Sequence, residues 1–431
     1  MSEFLNRREF LHASGLVTAS AVAAGLVIPS VARAGSFSSS GRLKVGVIGC
    51  GGRGTGAAVN ILEASGDVEI FAIGDMFKDR TDGARNEFKN LDKAMADRVN
   101  LSDDRVFNGF DAYQKVLASG IDIVILATPP GFRPTHFAAA VEAGKHVFME
   151  KPVATDPAGI RTVIAAAKRA AEKKLSVVTG TQRRHEACYL EAMERIRGGA
   201  IGKVLSTSVY WNQGSLWNHA QRPEWSDMEW QLRNWLYFTW LSGDHIVEQH
   251  VHNIDVAAWA MGEVPKGCWA MGGRQVRIKP EFGHIFDHFA VEFEYADGRR
   301  VNSYCRQIDG TTPRVEEIVQ GTNGRALLSS GRAEIVGEKA WKWSGKQTNP
   351  YVQEHIDLMA SITGKGTYLN EAQRVAESTL MAIMGRMAAY TGKAIDWEKA
   401  MNSKLDLTPP KLELGSLPVP EVAVPGKTPL I

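Results

Sequence analysis

From residue 41 to about 182 the chain alternates short apolar runs with longer stretches whose apolar residues recur at helical spacing. Residues 45–48, 68–73, 121–127, 146–149 and 175–179 read as strands. The run 121–127, Ile-Asp-Ile-Val-Ile-Leu-Ala, is nearly continuous in apolar side chains, the pattern of a strand covered on both faces. Residues 57–62, 135–143 and 157–173 read as helices; the second stops at Gly144 with Lys145 and His146 beside it, a C-terminal signature. Strand–helix alternation of this kind predicts an α/β domain with a doubly wound parallel sheet over 42–182.

Beyond 183 the period changes. Segments 204–210, 288–295, 301–307, 315–320 and 325–328 alternate inward and outward residues, and Ala296-Asp-Gly-Arg299 supplies a hairpin turn between two of them. Long helices are expected at 352–363 and 371–391. The prediction for 183–400 is an α+β domain with a large, mostly antiparallel open sheet. Prolines at 409, 410, 418, 420, 425 and 429 then mark an extended tail over 401–431, wrapping the protein or reaching a neighbouring subunit.

The first strand runs into Gly49-Cys-Gly-Gly-Arg-Gly54, with glycines spaced G-x-G-x-x-G at Gly49, Gly51 and Gly54. Gly49 permits a tight turn, Gly51 admits a pyrophosphate to the backbone, and Gly54 allows the next helix to pack close, its free N–H groups facing the anion. The second strand ends at Gly74-Asp75, 21 positions beyond Gly54, where a carboxylate would bond the adenosine ribose. This context predicts a Rossmann dinucleotide site that includes Gly52 and Arg53. NAD is expected over NADP because the Asp75 carboxylate repels a 2′-phosphate, although Arg53, Lys78 and Arg80 stand near enough in sequence to oppose that preference.

The N-terminus adds a location. Residues 1–34 read as an export leader: Arg7-Arg8 in Asn-Arg-Arg-Glu-Phe-Leu resembles the twin-arginine consensus, a moderately apolar run covers 15–28, and Ala32-Arg33-Ala34 is a small-x-small cleavage site. Residues 35–41 read as a linker. The expectation is therefore an exported, periplasmic protein using the twin-arginine export machinery. That route carries folded proteins, and outside the cytoplasm there is no NADH pool to exchange with. The nucleotide is thus expected to stay bound, and either to be regenerated within one cycle or to pass its electrons to a second substrate. The 431 residues, 44% hydrophobic and 23% charged, suffice for two globular domains. A net charge of +2 gives no electrostatic basis for binding nucleic acid or membrane, and four cysteines without a C-x-x-C pair give no zinc knuckle or redox motif.

The segment Gly144-Lys-His-Val-Phe-Met-Glu-Lys-Pro-Val153, together with the Gly49 loop and Ala127-Thr-Pro-Pro130, resembles the glucose–fructose oxidoreductase / inositol dehydrogenase (Gfo/Idh/MocA) family over residues 42 to about 400. The resemblance implies that Lys151 of Glu-Lys-Pro contacts nicotinamide ribose and substrate, with Thr128, Pro129 and Glu150 beside the cofactor. It also implies that the 183–400 domain builds the substrate pocket and the contacts of a homo-oligomer. The family commonly has Asp-x-x-x-His-x-x-Asp where this chain has Glu248, His252 and Asp255. By resemblance His252 is the general base and Glu248 orients or shares the proton. Read as one helix, Glu248, His252, Asp255 and Trp259 share a face, with His245 near it and His250 opposite. Oxidising a carbinol requires a proton to leave oxygen as hydride leaves carbon; imidazole suits the first task and a nearby ammonium stabilises the developing oxyanion.

His245, Glu248, His250 and His252 also form a dense set of potential metal ligands, but the spacing misses the zinc-protease pattern and His250 falls on the wrong face, so no metal is assigned. The aromatic segment 210–240, with Trp211, Asn234 and Trp235 among interleaved polar residues, suits a sugar pocket, where C–H faces stack on indole. Some of its tryptophans must serve the core. Arg183 or Arg184, at the domain junction, is expected to touch substrate, as are His245 and His252. The resulting expectation is an NAD(P)-dependent oxidoreductase acting on a small-molecule sugar or cyclitol hydroxyl. Two alternatives fit the same residues: a glycoside hydrolase using transient oxidation and elimination with bound NAD, and a non-catalytic sugar-binding protein.

Overall fold

In a computed structural model of the chain, residues 41–430 are described; the expected leader, 1–34, and nearly all of the linker lie outside them. Strands β1 (Leu43–Ile48), β2 (Val68–Asp75), β3 (Val106–Asn108), β4 (Ile123–Leu126), β5 (His146–Met149) and β6 (Val177–Thr179) form one parallel sheet, ordered β3-β2-β1-β4-β5-β6. Helices α1 (Gly52–Ala64), α2 (Lys78–Lys89), α3 (Ala112–Ala118), α4 (Arg133–Glu142) and α5 (Pro157–Glu172) supply the main connections. All four residues of β4 are buried, as its unbroken apolar run requires of a strand covered on both faces. The strand order reverses between β1 and β4, which opens a crevice at the C-terminal ends of the strands.

The second lobe begins with α6 (Ala187–Arg197) and β7 (Val204–Gln213), followed by α7 (Asp227–Arg233), α8 (His245–Glu248) and α9 (Val251–Met261). Then come β8 (Gly267–Gly273), β9 (His288–Glu294), β10 (Arg300–Gln307), β11 (Arg314–Gly321), β12 (Gly324–Ser329), β13 (Arg332–Gly337) and β14 (Trp341–Lys342). With β15 (Ile395–Asp396) they make a nine-stranded sheet, ordered β14-β13-β12-β11-β7-β10-β9-β8-β15. Only β7 and β10 pair in parallel. Val209, Phe289, Val291, Phe293 and Val301 bury the inner face in one apolar cluster with residues of α9 and of α11 (Ala372–Thr391). The outer face leaves Trp269 and Met271 49% and 76% exposed.

Helix α10 (Pro350–Thr363), which the sequence reading places in the 183–400 domain, packs against α1. Its Leu358 and Met359 join Val45, Ile61 and Phe148 in the core of the first lobe. The tail is pinned to its own chain: Leu407 N–H donates to Asp156 (2.9 Å), Leu417 N–H to Asp227 (3.0 Å), and Gly426 N–H to Thr391 O (2.9 Å).

One expected element divides. The stretch 245–259 is not a single helix: α8 stops at Glu248 and α9 starts at Val251, with the His250 N–H bonding back five residues to His245 O. Glu248 and His252 therefore do not lie on one continuous helical stripe.

Leu358 is fully buried in the first lobe's core yet arrives from the far end of the chain. Leu358→Ala is expected to lower the unfolding free energy by about 2–5 kcal/mol, read by urea denaturation, and to weaken nucleotide binding with it.

Candidate active site

The glycine loop is built by close approach. Gly49 has φ +95°, and a Cβ there would lie 2.5 Å from the Ala127 carbonyl carbon and the Thr128 nitrogen. A Cβ on Gly54 would lie 1.7 Å from Gly49 O, so the strand and α1 meet at backbone distance. Gly51 and Gly52 have nothing within 4 Å of the same position: the loop is open where a phosphate would rest, at the N-terminus of a 13-residue helix. The Asp75 carboxylate accepts from Cys50 N–H (2.7 Å) and Phe77 N–H (3.0 Å), bracing the loop from β2. Its pKa is raised, chiefly by burial. A cavity of about 520 Å³ runs along Gly51, Arg53, Asp75, Thr128 and Pro129, and its other wall comes from the second lobe. The donor set, the open loop and the carboxylate fit a dinucleotide.

Arg53 leaves the loop toward the other end of the crevice. Its Nε pairs with Glu150 Oε1 at 2.5 Å, and its Nη2 stands 3.7 Å from Glu354. Glu354 is fully buried; burial and the neighbouring Glu150 carboxylate raise its pKa well above the usual range. Arg133, also buried, donates to the carbonyls of Leu126 and Thr128 and fixes the end of β4.

At the end of β5, Lys151 begins a cis Lys151–Pro152 bond and reaches across the crevice. Its Nζ donates to Glu248 Oε1 (2.9 Å) and to the Glu248 carbonyl (2.6 Å). The break after α8 makes the second bond available. The His252 N–H, which would close that turn of helix, bonds Gln249 O at 3.4 Å instead. Glu248 Oε2 is buried with no partner, so it is available as an acceptor. The His252 ring stacks on Trp211 (5.6 Å between centroids), whose Nε1 donates to Gln213 at 2.7 Å. Burial, then the charges of Lys151, Arg183 and Arg53, push the His252 pKa well below its ordinary value. Lys151, Glu248 and His252 thus converge, one from the first lobe and two from the second.

The structure places the other candidates variously. Arg183 is buried, paired with Glu317 (2.5 Å) and Asn253 (2.9 Å), with its guanidinium 5.5 Å from the Trp211 ring centre. Arg184 grips Asp255 (2.7 Å) and lies over Trp259; Asp255 is also held by Arg374 and Ser378. Asn234 is fully buried, accepting from His219 N–H and donating to Glu281 O. His245 sits in the interior with Nδ1 against Asp244 (3.1 Å). Trp235 lines the nucleotide cavity beside the Gly49 loop. Among the described residues no three His, Cys, Asp or Glu side chains are placed to hold a metal ion.

Sequence reasoning passed over Asp244, Glu317 and Glu354. Asp244 has φ +73°, unusual for a residue with a side chain; its carboxylate takes four bonds, from the His245 N–H and Nδ1, the Phe286 N–H and the Tyr390 hydroxyl, and its own N–H donates to the Ser242 hydroxyl. Glu317 carried a signal, a glutamate at an inward position of a strand, opposite Val209.

A parallel-sheet lobe with a glycine-loop crevice, closed by an open-sheet lobe that brings an acid and an imidazole to a lysine, defines a two-lobed dinucleotide-binding protein. Residues 43–179 match the NAD-binding Rossmann fold of the Gfo/Idh/MocA oxidoreductase family, and residues 189–341 match the Gfo/Idh/MocA C-terminal domain. The chain belongs to this family. It is 27% identical over 184 residues to a 2,7-anhydro-N-acetylneuraminate hydratase of Escherichia coli, covering 42% of this chain and 44% of the relative, so the match spans under half of that protein. It is 25% identical over 298 residues to a myo-inositol 2-dehydrogenase of Thermotoga maritima, covering 68% and 77%. An aldose–aldose oxidoreductase from Caulobacter crescentus superposes with a TM-score of 0.64 at 17% identity, over 82% of this chain and 99% of that one, a likeness of fold.

Gly54→Ala places a methyl group against Gly49 O and is expected to weaken NADH binding at least about 100-fold in a fluorescence titration, because the loop and helix cannot both keep their places. Gly52→Ala, with open space at the same atom, is expected to cost far less.

Proposed function

We propose that this protein is an exported oxidoreductase that acts on a sugar or cyclitol hydroxyl and keeps its NAD bound. The observation that carries the reading is the convergence of Lys151, Glu248 and His252 at the end of β5, beside a cleft that fits a dinucleotide. Bound NAD supplies the hydride acceptor. Because its pKa is depressed, His252 is neutral at physiological pH and ready to accept the substrate hydroxyl proton. The Lys151 ammonium stabilises the negative charge that develops on that oxygen. Glu248 holds the ammonium with Oε1 and offers Oε2 to a second substrate hydroxyl. Trp211, flat against His252, gives the C–H face of a sugar ring a surface to stack on. Export rests on the Arg7-Arg8 leader pattern, and retention of the nucleotide follows from it.

A second reading, hydrolysis or hydration through transient oxidation, is favoured by the name of one relative, a hydratase. Hydration involves no net change of oxidation state. Both readings use the same three side chains and differ only in whether the cofactor ends the cycle changed.

The test is to incubate purified protein with candidate sugars and cyclitols and follow the nicotinamide absorbance of the bound cofactor. A rise with a sugar supports the dehydrogenase. Aglycone released from a nitrophenyl glycoside without that rise supports the second reading, and binding with no spectral change leaves a non-catalytic sugar binder. His252→Ala and Lys151→Ala are each expected to lower the reduction rate about 10²–10⁴-fold; either variant at full rate ends its assignment.

The pH dependence has a sign. Only neutral His252 accepts a proton, so activity is full above its pKa and falls as pH drops through it. Since that pKa is lowered, the acid limb of kcat/KM is expected below the ordinary imidazole value of about 6.5. Lys151→Met removes one of the charges responsible and should move the His252 titration upward, read by NMR.

The outer sheet face, with Trp269, Met271 and the stacked Tyr210–Tyr304 pair, is the surface we assign to self-association. Trp269→Glu is expected to convert the oligomer to monomers in light scattering; a monomeric wild type ends this assignment.

A further inference from the structure

The aromatic segment that reads in sequence as a sugar pocket does something else for part of its length. Between β7 and α7 the chain crosses the nucleotide crevice as an irregular strap, residues 214–223, and Trp217 and His219 from it line the same cavity as Gly51 and Asp75. Arg233 and Trp235 continue that wall. The strap is held in place. Asp309 Oδ1 accepts from Ser215 N–H (2.7 Å), Asn234 Oδ1 accepts from His219 N–H (2.8 Å), the Trp230 indole donates to His219 O (2.7 Å), and the Tyr237 hydroxyl donates to Trp217 O (2.9 Å). What these bonds present is an indole 45% exposed, edge-on to Trp235 at 6.1 Å and 5.2 Å from the His219 ring. Arg233 ties this wall to the adenosine end of the site: it pairs with Asp79 (3.1 Å), at the start of α2 just beyond Asp75, and lies 3.8 Å over the Phe77 ring. The guanidinium groups of Arg80, on α2, and of Arg222 and Arg233, on the second lobe, all act on His219, so the rim of the cavity carries arginines as well as aromatic rings, Arg233 being shared with Glu229 (2.9 Å).

We propose that the strap, with Arg233 and Trp235, is the second half of the dinucleotide site: it covers the adenosine and pyrophosphate from the second lobe and makes NAD a resident group instead of an exchanging cosubstrate. An aromatic ring stacks on a base or ribose face, and a cationic rim complements a pyrophosphate. Both features lie across the cavity from the open backbone of Gly51, on the side the parallel-sheet lobe leaves uncovered. Asn234 is then a positioning residue, which sets the strap through the His219 amide and touches no ligand itself.

This inference rests on the oxidoreductase reading only in requiring that the protein bind NADH. Full-length protein loaded with NADH is diluted into excess NAD, and the loss of indole-to-nicotinamide energy transfer gives the release rate. Trp217→Ala and Arg233→Ala are each expected to speed release about tenfold or more, with Trp217→Phe restoring most of the retention and thermal midpoints of the nucleotide-free proteins unchanged. Release at the wild-type rate from both alanine variants overturns the proposal and leaves the oxidoreductase reading standing. A wild type that binds no NADH overturns both.

Discussion

The site depends on one contact between the lobes, the bond from Lys151 to Glu248. It spans 97 residues of sequence, and both side chains are about one-tenth exposed. An ammonium taken out of water that far needs a partner, and removing one member of such a pair typically costs about 3–5 kcal/mol. Lys151 has two acceptors, the carboxylate and the carbonyl of the same residue, and the second exists because the helix is interrupted there. An unbroken helix would commit the Glu248 carbonyl to the His252 N–H. The interruption therefore supplies the lysine with a second acceptor, while the His252 ring one turn on stacks against Trp211.

Around this contact the lobes are held by charge. The turn that leaves the parallel-sheet lobe, Gln182–His185, sends three consecutive cationic side chains into three carboxylate partners: Arg183 to Glu317, Arg184 to Asp255, and His185 to Asp357. Burial opposes a charge on His185, but Asp357, with Glu371 toward the far ring nitrogen and Glu354 nearby, outweighs it and raises the pKa to about 10, so the ring stays an imidazolium at neutral pH. Three ion pairs in a row fix the direction of the chain as it passes between lobes, which apolar contacts, being non-directional, would do less sharply. Of the three cations only Arg183 also acts on His252. Burial and the cations Lys151, Arg183 and Arg53 all oppose its protonation, whereas His185, at the same junction, faces carboxylates and takes the proton. Two histidines at one junction are driven in opposite directions by what faces them.

The parallel sheet was legible because its signals are local. A buried strand of β-branched residues, a glycine where φ must be positive, and a carboxylate at a fixed distance along the chain are each written within a few residues. Strand β8 was not legible, since the outward residues Trp269 and Met271 are themselves apolar and Gly272 sits against the His288 carbonyl, so the apolar–polar alternation that marks a half-buried strand is missing from the sequence. The helix break at 249–250 was hidden for a related reason. His245 to Trp259 keeps helical spacing throughout, while the break is imposed by partners distant in sequence: Lys151 on Glu248, Ser303 on His250 and Tyr390 on Asp244. Arg183 and Arg184 illustrate the same limit. Two arginines at a domain junction look like ligands for substrate, and only the coordinates show Glu317 and Asp255 already waiting for them.

The glutamate at position 248 makes sense in these terms. An aspartate would draw the carboxylate back by roughly one carbon–carbon bond, about 1.5 Å. From the 2.9 Å now seen, that would leave the oxygen beyond hydrogen-bond range of Lys151 unless the lobes moved together. The hinge ion pairs and the Arg233–Asp79 contact at the other end of the crevice resist such closure, since each would have to lengthen or turn. The extra methylene thus matches the reach of the acid to a crevice whose width is set elsewhere. It leaves one carboxylate oxygen on the lysine and turns the other inward, where it has no protein partner. A buried acceptor without a donor is costly in isolation, and the cost falls once a hydroxyl is supplied. On the reading proposed above, that hydroxyl is a second hydroxyl of the substrate, whose reacting C–H faces the nucleotide.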